Sequence, residues 1–192
     1  MSGGEPRAEP PPAAPRRVET ARMVLSAPGA SDAADVVALR GDPRVGRWLG
    51  GTLDPAAAQA ALVRWMSHWG AHGFGLWVAR DRATGALVGY GGLSTMVVGG
   101  RAEVEVGWTI AAERWGEGLA TELGAAAMEV AADPLGALTV ISLTMPDNTR
   151  SRRVMEKLGL TYEREVTHRG LPHVLYRRTR TRADHERRPR RG

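Results

Sequence analysis

Residues 103–132 read EVEVGWTIAAERWGEGLATELGAAAMEVAA, and no other stretch restricts the fold as much. The first part alternates. Val104, Val106, Trp108 and Ile110 fall on one face, and Glu103, Glu105, Gly107 and Thr109 on the other, which is the period of a half-buried strand. From about Leu119 to Ala132 the period lengthens, and Leu119, Leu123, Ala126 and Val130 form one helical stripe. Asp133–Pro134 stops the helix, because proline disfavours helical backbone in the residue before it. The apolar run LTVISLTM then reads as another strand. A strand–helix–strand unit of this kind crosses over and makes its two strands parallel neighbours.

Between strand and helix stand Gly116 and Gly118. A glycine costs a helix about 1 kcal/mol relative to alanine, and a turn needs only one. Two imply that something comes very close to the backbone. The first N–H groups of a helix have no acceptor within it, and the helix dipole adds partial positive charge there. The amides of Glu117 to Thr121 therefore suit an anion such as a pyrophosphate. Two familiar nucleotide motifs fail. The phosphate loop of NTPases needs Gly-Lys-Ser/Thr, whereas Gly118 is followed by Leu119 and Ala120; the dinucleotide fingerprint needs a third glycine where Thr121 stands. By local geometry alone, a tight turn for close helix–strand packing serves equally well.

The other elements complete a mixed α+β order. ETARMVLSAP reads as a first strand. SDAADVVALR reads as a helix capped by Ser31, with Asp32 and Asp35 in its first turn. LDPAAAQAALVRWMSHWG is a helix with Asp54 as cap and Pro55 in first position; Ala61, Leu62, Trp65, Met66 and Trp69 are its apolar residues. GLWVAR and ALVGYGGL flank DRATG, a hairpin in which Gly85 takes the turn. NTRSRRVMEKLG is a short helix with Asn148 as cap and Gly159 beyond its end. LTYEREV and HVLYRR are a last pair of strands.

The 43% apolar share of 192 residues supports one sizeable core. There is no cysteine, so disulfides, thiol nucleophiles and thiolate metal sites are excluded. His68 and His72 are four apart, but no glutamate adjoins His68 and Gly70 lies between them, so the zincin pattern fails and no metal is expected. No run approaches the ~18 apolar residues of a membrane span. Arg16 and Arg17 are followed by VETARM, not by an apolar signal core. A cytoplasmic protein without membrane contact is the expectation. The charge of +5 is misleading as a whole. Residues 177–192 hold eight arginines against Asp184 and Glu186, a net of +6, which leaves the preceding 176 residues at −1. The tail is expected to be solvated, and a nucleic-acid partner is expected only through it. Residues 1–17, rich in Pro and Ala, and 181–192, rich in Arg, are expected to be disordered, with the folded unit at 18–180.

Five short motifs, in order, resemble the GNAT acetyltransferase superfamily: ETARMVL, EVGW, ERWGEGLATE, NTRSRRVMEKLGL and HVLYRR. The glycine turn resembles that family's acyl-CoA pyrophosphate loop, Gln/Arg-x-x-Gly-x-Gly/Ala, with Trp115, Gly118 and Ala120 on the pattern. Trp115 in place of Gln/Arg departs from it and is the habit of the ribosomal-protein N-terminal acetyltransferase branch. The resemblance covers roughly residues 19–180. It implies a mixed, mostly antiparallel, twisted sheet flanked by helices and splayed between two parallel strands. It also implies transfer of an acetyl group from acetyl-CoA to a primary amine in a ternary complex. Trp108, Thr109 and Ile110 would line the pantetheine arm. Trp115, Gly116, Glu117, Gly118, Leu119, Ala120 and Thr121 would hold the pyrophosphate. Glu105 would be the base, with Glu103 second and able to raise its neighbour's pKa. Many members carry a Tyr where Met155 stands, so Ser151 would be the acid; Asn148 would cap its helix, contact pantetheine, or both. Arg150, Arg152 and Arg153 would meet the 3′-phosphate. Trp48, Trp65, Trp69, Phe74 and Trp77 cluster on the acceptor side. The acceptor is expected to be a protein N-terminus or a small-molecule amine, an antibiotic included. A non-catalytic acyl-CoA sensor is the rival, and a homodimer stays open.

Overall fold

The structure, a computed structural model, describes residues 13–180. An eight-stranded sheet is its frame. The strands are β1 (Arg17–Glu19), β2 (Met23–Ser26), β3 (Leu76–Asp81), β4 (Leu87–Val98), β5 (Arg101–Ile110), β6 (Thr139–Thr144), β7 (Thr161–His168) and β8 (Leu171–Thr179). They lie in the order β1-β2-β3-β4-β5-β6-β8-β7. Every neighbouring pair is antiparallel except β5 with β6. The crossover through α4 (Leu119–Ala132) makes that pair parallel, as residues 103–145 imply.

Helices cover both faces of the sheet. In register, Trp77 lies opposite Gly91, Gly91 opposite Trp108, and Leu93 opposite Val106, so these residues share one face. Against it pack Leu119, Leu123 and Ala127 of α4, and Met155 and Leu158 at the end of α5 (Thr149–Lys157), in the largest apolar cluster. Trp77, Leu93, Val106, Leu123 and Met155 are essentially fully buried. On the opposite face Tyr90 packs with Leu39 of α1 (Ala33–Gly41), Val45 of α2 (Pro43–Gly46) and Trp65 of α3 (Pro55–His72). That cluster reaches Ala111 just past β5, and further along the same face β5–β8 carry Glu103, Glu105 and a smaller buried cluster of Val98, Ile141 and Leu175.

Local signals explain most element ends. Asp54 Oδ1 accepts a 2.7 Å bond from the Ala57 N–H, which caps α3. Asn148 Oδ1 accepts from the Ser151 N–H at 3.2 Å, which caps α5. Three expectations are corrected. ETARMVLSAP splits into β1 and β2, which pair with each other because Thr20 turns the chain: its hydroxyl oxygen accepts from the Met23 N–H at 3.0 Å. Ser31 does not cap α1. It sits in a short 3₁₀ turn, and the helix starts at Ala33 behind Asp32, whose carboxylate accepts from the Gly29 N–H and from Arg80. Residues 13–17 do not belong to a disordered segment. The Ala14 N–H donates to Gly73 O at 2.8 Å, the Trp77 indole donates to Pro15 O at 3.1 Å, and Ala14 is buried. The expected disorder of 1–12 and 181–192 lies outside the described residues.

Close packing of α4 on the sheet depends on Gly91. A β-carbon there would sit 2.6 Å from Gly107 O and 2.6 Å from Leu123 Cδ2, so backbone or helix must move. Gly91→Ala is expected to destabilise the fold by about 1–3 kcal/mol, read as a lower urea midpoint with an unchanged slope.

Candidate functional site

The site grows from the place where β5 and β6 part. Strand β5 pairs with β4 along its whole length, but with β6 only at Glu105 opposite Ile141. Beyond that pair, residues 106–110 have no ladder partner on β6, and the β6 side of β5 opens. Trp108, Thr109 and Ile110 lie along this opening. Trp108 packs against the main core, and Ile110 O accepts a 2.7 Å bond from the Trp115 indole N–H.

The glycine turn follows directly. Gly116 has φ 88° and Gly118 φ 81°, left-handed backbone that a side chain disfavours. Among the described residues, the N–H groups of Gly116, Glu117, Gly118, Leu119 and Ala120 have no hydrogen-bond partner. The Thr121 N–H does have one: it donates to Gly118 O at 3.1 Å. The bare amides therefore run from 116 to 120, one residue earlier than the sequence suggests. A β-carbon on Gly116 would meet nothing within 4 Å, so the space beside the turn is open. Unpaired amides at a helix N-terminus with room beside them fit a diphosphate.

Two arginines that sequence reasoning passed over hold this turn. Arg22 donates to Glu117 O at 2.8 Å and, through Nε and its own backbone N–H, to the Glu122 carboxylate at 2.7 and 2.8 Å. Arg114 pairs with the Glu117 carboxylate at 2.9 Å and reaches Asp81 at 3.1 Å. Both acids near the cradle are thus occupied by cations, and both have pKa values lowered. Trp115 closes the other side, its indole bonded to β5 and its ring 5.4 Å below the Arg150 guanidinium of α5. Of the three arginines in α5, Arg152 is committed elsewhere: it donates to the Tyr176 hydroxyl at 3.0 Å and to Pro146 O at 3.2 Å.

Glu103 and Glu105 are two residues apart on the same face of β5, yet their surroundings differ. Arg177 holds Glu103 in a two-pronged ion pair at 2.9 and 3.0 Å, with the Glu103 side chain only 8% exposed. This bond keeps the Glu103 carboxyl below its usual range and the Arg177 guanidinium above its own. Arg177 also bonds Glu163. Glu105 has no such partner. Its Oε2 accepts a 3.0 Å bond from the Ser94 hydroxyl of β4. Burial pushes its pKa up to about 7, against the opposing pull of the Ser94 bond and of the Arg169 charge. The neighbouring Glu103 does not contribute to that rise, because Arg177 neutralises it. A carboxyl titrating near neutrality on a strand that also borders an open edge suits a general base.

Ser151 stands in the first turn of α5, half-buried, one turn before the fully buried Met155. Its backbone is held by Asn148, and among the described residues its hydroxyl has no hydrogen-bond partner. The aromatic set divides. Trp69 and Trp77 are core, with rings 6.0 Å apart. Trp65 lies 4.3 Å from the Tyr90 ring; Trp48 packs under Arg47, and Phe74 against His68 and His72. His68 spends both ring nitrogens on structure. Nδ1 meets Phe74 O at 2.8 Å, and Nε2 accepts from the Thr95 N–H at 3.1 Å, next to Ser94. Among the described residues, no group of three acids or histidines is placed to hold a metal, and no helix is long and apolar enough to cross a membrane.

A Bacillus subtilis (strain 168) protein, the uncharacterized YkkB, is 29% identical over 107 residues, 56% of this chain and 62% of that protein, so the match spans less than two thirds of the relative's length. The ribosomal-protein-S5-alanine acetyltransferase of Vibrio fischeri superposes with a TM-score of 0.71 at 15% identity, covering 85% of this chain and 96% of that one. The aminoglycoside acetyltransferase AAC(6′)-Ib, solved with coenzyme A, gives 0.69 at 21% identity over 87% and 99%. At these identities the two structures share the fold. The description "Acetyltransferase (GNAT) domain" matches residues 22–161, from the arginine that clamps the glycine turn to the start of β7, and the chain is a member of the GNAT acetyltransferase family.

Proposed function

We propose that the protein is an N-acetyltransferase that moves an acetyl group from acetyl-CoA to a primary amine within a ternary complex. The observation that carries this reading is the juxtaposition on one strand. β5 ends in a turn with five unpaired amides, borders a splay at Trp108–Ile110, and displays a carboxyl of pKa about 7 on its other side. When bound, acetyl-CoA supplies the activated acetyl group as a thioester. The amides of Gly116 to Ala120 hold its diphosphate, with Arg150 beside Trp115 available to a further phosphate. The open edge at Trp108, Thr109 and Ile110 offers backbone groups to the pantetheine amides, the Ile110 carbonyl excepted because the Trp115 indole holds it.

Glu105 takes one proton from the amine, so that the nitrogen lone pair is free to form the N–C bond. Ser94 orients the carboxylate for this and keeps one oxygen engaged. As the C–S bond breaks, Ser151 passes its hydroxyl proton to the leaving sulfur and recovers one from solvent. The ammonium nitrogen loses two protons in all, the first to Glu105 before attack and the second to solvent as the tetrahedral intermediate collapses; sulfur gains one through Ser151, and one proton is released overall. Asn148 fixes the turn from which Ser151 acts. Glu103, locked to Arg177, is the weaker base of the pair. The buried Met155 occupies the position of the family's usual tyrosine, which leaves the acid role to Ser151.

Two outcomes test this. Glu105 works as a base only when deprotonated, so kcat/KM should rise with pH through a midpoint near 7. Glu105→Gln should cost about a hundredfold or more and flatten that limb. A pH–rate profile in which the variant keeps the wild-type limb removes Glu105 from the role. The cradle is tested separately: Gly118→Ala adds a β-carbon at φ 81°, and calorimetry should find coenzyme A binding weakened about tenfold or more while the circular dichroism spectrum is kept. Unchanged affinity would place the diphosphate elsewhere.

A further inference from the structure

The face of the sheet that carries Glu105 has a second feature that acetyl transfer as such does not explain. The turn between β7 and β8 reaches back over this face. Leu171, the first residue of β8 beyond that turn, lies against Gly50 in the segment between α2 and α3, so closely that a β-carbon on Gly50 would lie 3.2 Å from Leu171 Cδ1. The turn therefore bridges the face on which Glu105 stands. At its tip Arg169 has φ 50°, the only positive φ at a non-glycine among the described residues. A non-glycine residue held in that region is maintained at a cost. Arg169 is exposed, and among the described residues it has no salt-bridge partner. His168 and His173 flank it, with rings 5.4 Å apart.

Below the tip lies a recess of about 280 Å³. Val98, Leu143 and Val166 line it and belong to the apolar cluster of Ile141, the residue paired with Glu105. Its cationic member is Arg164, 3.6 Å from Glu163, while burial and the Arg169 charge lower the pKa of the other basic lining residue, His168. The mouth is thus apolar below and basic above. The other acid on this stretch of β5, Glu103, is already neutralised by Arg177. A polycationic acceptor would meet repulsion here. An acceptor with an anionic group would meet an unpaired guanidinium, which binds carboxylates with two parallel hydrogen bonds.

Resting on the acetyltransferase reading, we propose that the acceptor is a small amine that also bears a carboxylate, with Arg169 receiving the carboxylate while the amine faces Glu105. Arg164 adds charge at the same rim, the His168 ring offers a hydrogen-bonding nitrogen, and the apolar recess takes the body of the molecule. Arg169 is on this account a specificity-determining residue. Protons and bonds move as in the general reaction, and the carboxylate is unchanged.

The test compares matched pairs of acceptors on the full chain: free amino acids against the same molecules lacking the carboxylate, with a polyamine as the cationic arm. Coenzyme A binding, measured first by calorimetry, reports on the enzyme reading independently of the acceptor. Wild type should favour the carboxylate-bearing member by about ten- to a hundredfold in kcat/KM. Arg169→Gln should abolish that ratio through KM, and Arg169→Lys should retain part of it. Calorimetric binding of the amino acid to the coenzyme A complex should weaken about tenfold or more in Arg169→Gln. Peptides with an acidic first residue form a further arm; a preference for them over free amino acids would identify a peptide as the source of the same carboxylate. Equal use of both members, preference for the polyamine, or an unaltered ratio in Arg169→Gln overturns the proposal, even where coenzyme A binds. A uniform loss on both members leaves the ratio intact and counts against it too.

Discussion

One ladder contact organises the molecule. Strands β5 and β6 meet at Glu105 and Ile141 and nowhere else in register, although β5 is fully paired on its other side. A parallel pair that stops after one residue leaves half a strand with unused backbone groups, which ordinary sheets do not tolerate in a buried place. Here the opening adjoins the turn at the end of the same strand. The helix after that turn, α4, is the crossover that makes the pair parallel, so its N-terminus necessarily lies at the open end. The edge, the bare amides and the Glu105 carboxyl are thus consequences of one topological arrangement.

The turn itself depends on charge. Two residues with positive φ and five unpaired amides amount to an unfavourable loop when considered alone. Arg22 and Arg114 offset this by tying Glu117, Glu122 and Asp81 into a rim, and the Trp115 indole adds a bond to Ile110 O. These contacts do more than hold shape. They also neutralise two carboxylates that would otherwise repel an anion from the helix N-terminus.

Glu103 and Glu105 show how far environment separates identical side chains. Both come from the same face of one strand. Glu103 meets a guanidinium and is held ionised; Glu105 meets a hydroxyl and is pushed towards neutrality by burial. The difference arises from β8 and β4, which supply Arg177 and Ser94. Ser94 is 11 residues from Glu105 on the preceding strand, but Arg177 is 74 residues from Glu103, a separation that no local reading bridges.

Periodicity and punctuation were enough to establish the mixed α+β order, the crossover between 104 and 144, the helix at 119–132 and the caps Asp54 and Asn148, because each depends on residues within a few positions of one another. The five family motifs pointed to the glycine turn for the same reason. Other features were beyond local reading. The clamp by Arg22, the Arg177–Glu103 pair, the ordering of residues 13–17 and the approach of the β7–β8 end to Gly50 all join segments far apart in the chain. Alternation assigns a residue to a face, but only the packed sheet decides what lies opposite it. The burial that raises the Glu105 pKa is a property of everything around it, and no window of sequence contains that.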